Sequence, residues 1–250
     1  MDDVTPLVAA LQKSGFPLQA RVAYEIRARA SRGWKVLASE YPWRDSEGRD
    51  QFIDLIASCG SIVLVVECRK AAERALLFLR PLGGDTTGLV KTLAIWHVEQ
   101  HQGAGKPFGS APREIEIEPA SYRTDICVSS DKSGQRLLEQ EARPVVLAAD
   151  AVVADAARIA LPTRSFVVPV ILTTAPLRTL RFEPTEVALD TGSFSNLDPT
   201  QMEPIQWVRF HKTLTARAAE PRTVLVVNTA ALGRFLDEVS RGQGFGPSAT

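Results

Sequence analysis

Two carboxylates draw attention by where they sit. The stretch QFIDLIASCGSIVLVVECRK (51–70) holds two apolar runs around a short turn, and each run carries one acid. Asp54 lies among Phe52, Ile53, Leu55 and Ile56, and Glu67 directly follows the five aliphatics Ile62 to Val66. Apolar, β-branched runs of this length read as strands, and Gly60-Ser61 between Cys59 and Ile62 suits a two-residue hairpin loop with glycine first, as a type II′ turn prefers. That loop pairs Cys59 with Ile62 and, counting outward, Asp54 with Glu67, on one face with Cβ atoms about 4.5–5.5 Å apart. Like charges opposed in a sheet are destabilising, and a carboxylate among aliphatic side chains also loses hydration. A divalent cation between the acids would remove the repulsion, since Mg²⁺ is commonly held by one or two carboxylates with water and phosphate oxygens completing its shell. Two plainer arrangements fit the same residues: a register slipped by one, or each acid paired with an arginine.

An acid in one strand, then Glu67-Cys68-Arg69 in the next with a base two places after its acid, resembles the PD-(D/E)xK nuclease superfamily. That group includes Mrr-like restriction endonucleases and archaeal Holliday junction resolvases. The opening of the chain is similar too: Ser14-Gly15-Phe16-Pro17-Leu18, a helix bearing Glu25, then Gly33-Trp34-Lys35-Val36 leading into a strand. The resemblance implies a restriction endonuclease-like α/β fold, a mixed central sheet flanked by helices. It implies a metal-dependent nuclease that hydrolyses phosphodiester bonds of DNA, with Asp54, Glu67 and the Cys68 carbonyl binding Mg²⁺ or Mn²⁺. In that scheme Arg69 touches the scissile phosphate, Glu25 orients a water or the metal shell, and Arg21, Arg29, Lys35 and Lys70 are candidate contacts to the nucleic-acid backbone.

Arginine stands where the family usually has its catalytic lysine. It holds positive charge but stays protonated and cannot shuttle protons. Lys70 comes next, and strand alternation turns it to the opposite face unless a bulge intervenes. A second reading therefore stands beside the first: a catalytically inactive nuclease-fold module that binds nucleic acid or a protein partner. Glu25 also has two readings, since Arg21 and Arg29 lie four residues to either side of it and suit ion pairs on one helix face.

The elements that must position these residues follow from periodicity. Thr5 to Ser14 reads as a short helix, and the next runs from Pro17 to about Arg32 with Leu18, Val22 and Ile26 as its buried stripe. Trp34 to Tyr41 reads as a strand before the central hairpin, and Ala75 to Leu79 as a fourth strand. Leu89 to Val98 fits a helix, which would put His97 and His101 on one face; without a third ligand nearby they read as a structural or exposed pair. Arg113 to Glu118 alternates glutamates with isoleucines, as a half-buried edge strand with its charges turned to water. Pro144 to Leu161 reads as a helix. Ser165 to Thr173, Ile205 to Phe210 and Arg222 to Val227 read as additional C-terminal strands, with Ala230 to Val239 as a closing helix. The expectation is a single domain over 1–240, with its core at about 14–80, an extension of the same sheet over about 144–240, and a flexible tail at 241–250.

Composition sets limits. The 250 residues carry 29 basic and 29 acidic side chains, which argues against coating nucleic acid by bulk charge. Arg209, His211, Lys212, Arg217 and Arg222 nevertheless cluster, and a run along a phosphate backbone is one use of such a stretch. No apolar run reaches membrane-spanning length, so no membrane partner is expected. The three cysteines, without a CxxC, fit reduced thiols and a cytoplasmic location better than disulfides or a zinc site. A homodimer or a protein partner remains compatible with this composition.

Overall fold

The computed structural model describes residues 4–45, 47–71, 74–83, 88–100, 108–130, 137–213 and 221–243. In chain order the helices and strands are α1 (Thr5–Lys13), α2 (Phe16–Arg27), β1 (Trp34–Arg44), β2 (Asp50–Cys59), β3 (Ile62–Arg69), β4 (Leu76–Pro81), β5 (Leu89–Gln100), β6 (Phe108–Thr124), β7 (Ile126–Ser129), α3 (Leu137–Ala154), β8 (Arg164–Thr173), β9 (Leu177–Phe182), β10 (Glu203–Ile205), β11 (Trp207–Lys212), β12 (Arg222–Asn228) and α4 (Leu232–Gly242).

The fold is mixed α/β around an eight-stranded sheet of order β1-β2-β3-β8-β12-β11-β6-β5. β1, β2 and β3 form an antiparallel meander, and β8 then lies parallel to β3 along its whole length. The far edge of β8 is shared: its first half pairs with β5 and its last residues with β12. Strands β8, β12, β11, β6 and β5 thereby close into a five-stranded ring. A second sheet, β10-β9-β4-β7, stands beside it.

Both faces of the main sheet are covered, which is why β3 and β8 read as near-continuous aliphatic runs. Val22 and Ile26 of α2, with Leu232, Phe235 and Leu236 of α4, pack on Leu55, Ala57, Leu64 and Val66. On the other face, Ala149 and Val152 of α3 pack on Ile53, Ile56, Val63 and Val65. The first turns of α3 (Leu138, Ala142, Val145) also meet Phe78 of the second sheet and Phe210 of the ring.

Several expectations need correction. Leu89–Val98 is not helical: it belongs to β5, with Leu93, Ile95 and His97 buried in alternation and β6 as its antiparallel partner. Ala75–Leu79 does give a strand, but β4 joins the second sheet rather than the first. α3 begins at Leu137, so Pro144 falls inside the helix instead of opening it. Arg113–Glu118 is one part of the 17-residue β6. β8, β11 and β12 join the sheet of the central hairpin, whereas β9 and β10 go to the second sheet.

The C-terminal basic stretch is not a phosphate-facing stripe. Arg209 is wholly buried, donating to the Ile117 carbonyl at 2.6 Å and the Lys91 carbonyl at 3.2 Å, and Arg222 is also buried. Arg217, His101 and most of the expected tail lie outside the described residues. His97 is buried, receives the Arg164 Nε–H at 3.3 Å and packs against Phe166.

Candidate functional site

The central hairpin forms with the register its turn dictates. Cys59 pairs with Ile62 and the ladder runs to Leu55 opposite Val66, one step short of Asp54 and Glu67. Gly60 has φ +57° while Ser61 stays at negative φ, the combination of a type II′ turn rather than a type I′ turn, which needs both residues positive. On the other side, Ser39 pairs with Leu55 and Tyr41 with Ile53, which brackets Glu40 against Asp54. Glu40, Asp54 and Glu67 thus follow one another across three neighbouring strands. Glu40 has φ +50°, a left-handed conformation that few non-glycine residues adopt.

Each central acid has a local partner. Asp54 Oδ2 accepts the backbone N–H of Cys68 at 2.6 Å, and the Asp54 carbonyl accepts from Gln19 Nε2 of α2 at 2.9 Å. Glu67 Oε1 lies 3.0 Å from Arg69 Nη2, and the glutamate side chain is only 14% exposed. Arg69 Nε is buried without a hydrogen-bond partner. Beside these residues opens a cavity of about 270 Å³, walled by Arg69, Lys70, Arg74, Glu141 and Thr173.

Burial raises the Asp54 carboxyl above its ordinary range, with the Cys68 N–H opposing and the charge of Glu40 adding. Glu67 is pushed to about 7, chiefly by burial; Arg69 opposes the shift, while Asp54, Glu141 and Glu40 reinforce it. Burial likewise raises Glu141, with Arg69 and Arg74 opposing. Crowded, desolvated carboxylates of this kind are what a hard cation relieves. No group of three or more His, Cys, Asp or Glu stands ready to hold a metal among the described residues. A Mg²⁺ ion that keeps most of its water needs only one or two carboxylates, and the pair Asp54 and Glu67 fits that smaller requirement.

The other candidate residues lie as follows. Glu25 joins an ion-pair network on α2: it pairs with Arg21 and, at 2.8 Å, with Arg29, whose Nε reaches Asp237 of α4 at 2.8 Å. α2 covers the face opposite α3, whereas Glu67 alternates with Val65, which packs beneath α3. Arg29 is therefore engaged by two carboxylates, Arg21 and Lys35 are exposed, and Lys35 sits opposite Ser58 near the hairpin turn. Lys70 does not behave as strict alternation expects. β3 ends at Arg69, so Lys70 is free of the pleat; it lines the same cavity as Arg69 and donates to the Gln12 carbonyl after α1 begins its last turn. Cys59 and Cys68 are buried and Cys127 is half-buried, and all three are free thiols.

Sequence reasoning missed Glu40, Glu141 and Arg74. Glu40 was within reach, because counting the β1–β2 register outward from the turn leads to it. Glu141 comes from α3, more than seventy residues after Glu67 in the chain, and no local pattern points to it. No helix among the described residues is long and apolar enough to cross a membrane. No protein-family model matches the chain, and no curated protein or solved structure matches it either.

Proposed function

We propose that the chain is a metal-dependent nuclease of the PD-(D/E)xK type, with a restriction endonuclease-like core, hydrolysing phosphodiester bonds of DNA. The observation that carries this reading is the placement of Asp54 and Glu67 on adjacent strands, one step beyond the last paired residues Leu55 and Val66, next to a cavity lined by Arg69 and Lys70. A mixed sheet flanked by α2 and α4 on one face and α3 on the other supports it.

Asp54 and Glu67 would hold Mg²⁺ or Mn²⁺, with the Cys68 carbonyl as a further oxygen. A metal there would supply a more acidic bound water and charge neutralisation at the phosphate. The chain's own contribution is positional. The Cys68 N–H holds one Asp54 oxygen, leaving the other for a ligand. Arg69 supplies fixed positive charge for a phosphate oxygen without proton transfer, because a guanidinium stays protonated.

The Glu67–Arg69 ion pair favours a second reading. With its guanidinium 3.0 Å from Glu67, Arg69 already neutralises one of the two acids. That arrangement suits a catalytically inactive module that binds nucleic acid or a protein partner.

Cleavage of supercoiled plasmid and labelled single strands in Mg²⁺ or Mn²⁺, with wild type, Asp54→Ala and Arg69→Lys, separates the two. Cutting by wild type that is lost in Asp54→Ala supports the nuclease. Cutting only by Arg69→Lys identifies a site silenced at one position. No cutting by any of the three, with no metal binding, leaves the inactive module.

A further inference from the structure

Most aromatic rings among the described residues are buried or half-buried, and the largely exposed ones are Phe16, Tyr24 and Phe52. Tyr24 has the Arg21 guanidinium against its ring. Phe16 and Phe52 are 62% and 59% exposed. Lone exposed apolar side chains are ordinary on a protein surface. These two share a neighbour, because each is tied to Asp54. Phe52 stands two places before it in β2, about 7 Å along the strand. Ile53, between them, packs beneath α3, so Phe52 turns to the opposite face, the side of α2. Directly across the ladder is Pro42, itself exposed between the buried Tyr41 and Trp43. Opposed residues share a face, so the two rings make one apolar patch at the open end of the β1–β2 pair. α2 reaches the same place from above. Its buried Gln19 donates to the Asp54 carbonyl at 2.9 Å, and Phe16 lies one helical turn before Gln19.

We infer that Phe52, with Phe16 as a second ring, is a stacking platform for unpaired bases, so that the substrate is single-stranded DNA. The inference rests on the nuclease reading of Asp54 and Glu67. Bases inside a duplex cover one another's faces, and a protein ring can stack only on a base that has left that stack. A phenylalanine beside the acids therefore serves a single strand and is idle against an intact duplex. The charge balance agrees. With 29 basic and 29 acidic side chains the chain has little bulk attraction for phosphates, and stacking supplies affinity that does not depend on counterion release. Phenylalanine has no donor or acceptor to read a base edge, so the platform takes any base. A base laid on Phe52 brings its own sugar and phosphate toward Asp54, the next exposed step along β2.

The test is binding in EDTA, where no cleavage intervenes. Fluorescence anisotropy would compare a labelled DNA single strand of mixed sequence, an abasic strand of the same length and charge, and the blunt duplex. The expected result is about tenfold tighter binding of the normal strand than of either competitor, the weight of one base on one aromatic ring. Phe52→Leu, which keeps an apolar side chain but no ring face, should remove most of that preference, and Phe52→Tyr should retain it. The slope of log affinity against log salt should be the same for wild type and Phe52→Leu, because no phosphate contact is lost. Equal binding of normal and abasic strands by wild type overturns the proposal, as does tighter binding of the duplex. No binding of any of the three overturns it too and turns the patch toward a protein partner. These comparisons use wild type alone, so a poorly folded variant does not shelter the proposal. Failure here is distinct from failure of the nuclease reading. Plasmid cutting that is lost in Asp54→Ala, alongside equal binding of normal and abasic strands, would keep the nuclease and discard the platform. Base-dependent binding that is lost in Phe52→Leu, without any cutting, would keep the platform and discard the nuclease.

Discussion

Asp54 Oδ2 accepts the backbone N–H of Cys68 at 2.6 Å, tying the acid of β2 to the strand that carries Glu67 on one side and Arg69 on the other. Main chain therefore holds the Asp54 carboxylate, while the Glu67 carboxylate is held by the Arg69 guanidinium. The same bond stabilises the charged form of Asp54, against burial that disfavours it.

Removing that acceptor leaves the Cys68 N–H unpaired in a part-buried place. Asp54→Ala is expected to lower stability by about 1–3 kcal/mol, and Asp54→Asn by less because the amide oxygen can still accept. Urea unfolding at pH 5, where Glu67 is protonated and the repulsion between the acids is absent, isolates this effect. Equal stability of wild type and Asp54→Ala at that pH would show that the bond contributes nothing.

The contribution of Glu67 to stability should fall as pH rises, opposite in sign to that of His97 and His211, whose pKa values burial lowers. Burial lifts the Glu67 carboxyl from 4.5 to about 7, so the folded state binds a proton more tightly than the unfolded chain. The favourable contribution is complete below about 4.5 and is lost as pH passes through about 7, with a size on the order of 3 kcal/mol for Glu67. Asp54 and Glu141, also raised, act with the same sign. Glu67→Gln should flatten much of this slope and melt higher than wild type at pH 8. Mn²⁺ should raise the melting temperature of wild type at pH 8 and have little effect at pH 5. Superimposable pH profiles for wild type and Glu67→Gln would refute the assignment.

Arg29 is a clamp between helices in this fold. It bonds Glu25 at 2.8 Å and Asp237 at 2.8 Å, and Gly233 of α4 leaves the room it needs, since a Cβ there would come within 2.5 Å of Arg29 Nη2. Arg29→Ala should cost about 0.5–1.5 kcal/mol, the net worth of the lost bonds, since Glu25 keeps Arg21 and Asp237 keeps Arg32. On the proposed nuclease reading, affinity for nucleic acid and its salt dependence should be unchanged by this substitution. A reduced salt slope with unaltered stability would instead make Arg29 a phosphate contact.

Arg209 should behave as a core residue. It is fully buried and ties β11 to β6 and β5 through Ser121, Ile117 and Lys91, and burial lowers its pKa to about 10. Arg209→Ala would strand these acceptors inside the ring and is expected to cost about 3 kcal/mol or more. A change under about 0.5 kcal/mol in denaturant unfolding, typical of surface sites, would contradict this role.

What the sequence determined by itself was local. The turn at Gly60-Ser61 specifies the pairing of β2 with β3, because a two-residue loop leaves the strands a single register, and the aliphatic runs mark β3, β8 and β12 as doubly covered strands. The helical stripe of Val22 and Ile26 was equally legible. The tertiary structure decided everything that depends on which surfaces meet. Hydrophobic periodicity tells which face of an element is buried but not by what, so β5 could pass for a helix until β6 and β8 claimed its edges. The position of Glu141 over Glu67, the burial of Arg209 inside the ring, and the diversion of Glu25 and Arg29 into a bridge to α4 arise from partners far away in the chain. The two acids were readable because one hairpin places them; their neighbours were not, because only the closed sheet and the helix laid over it bring those charges near.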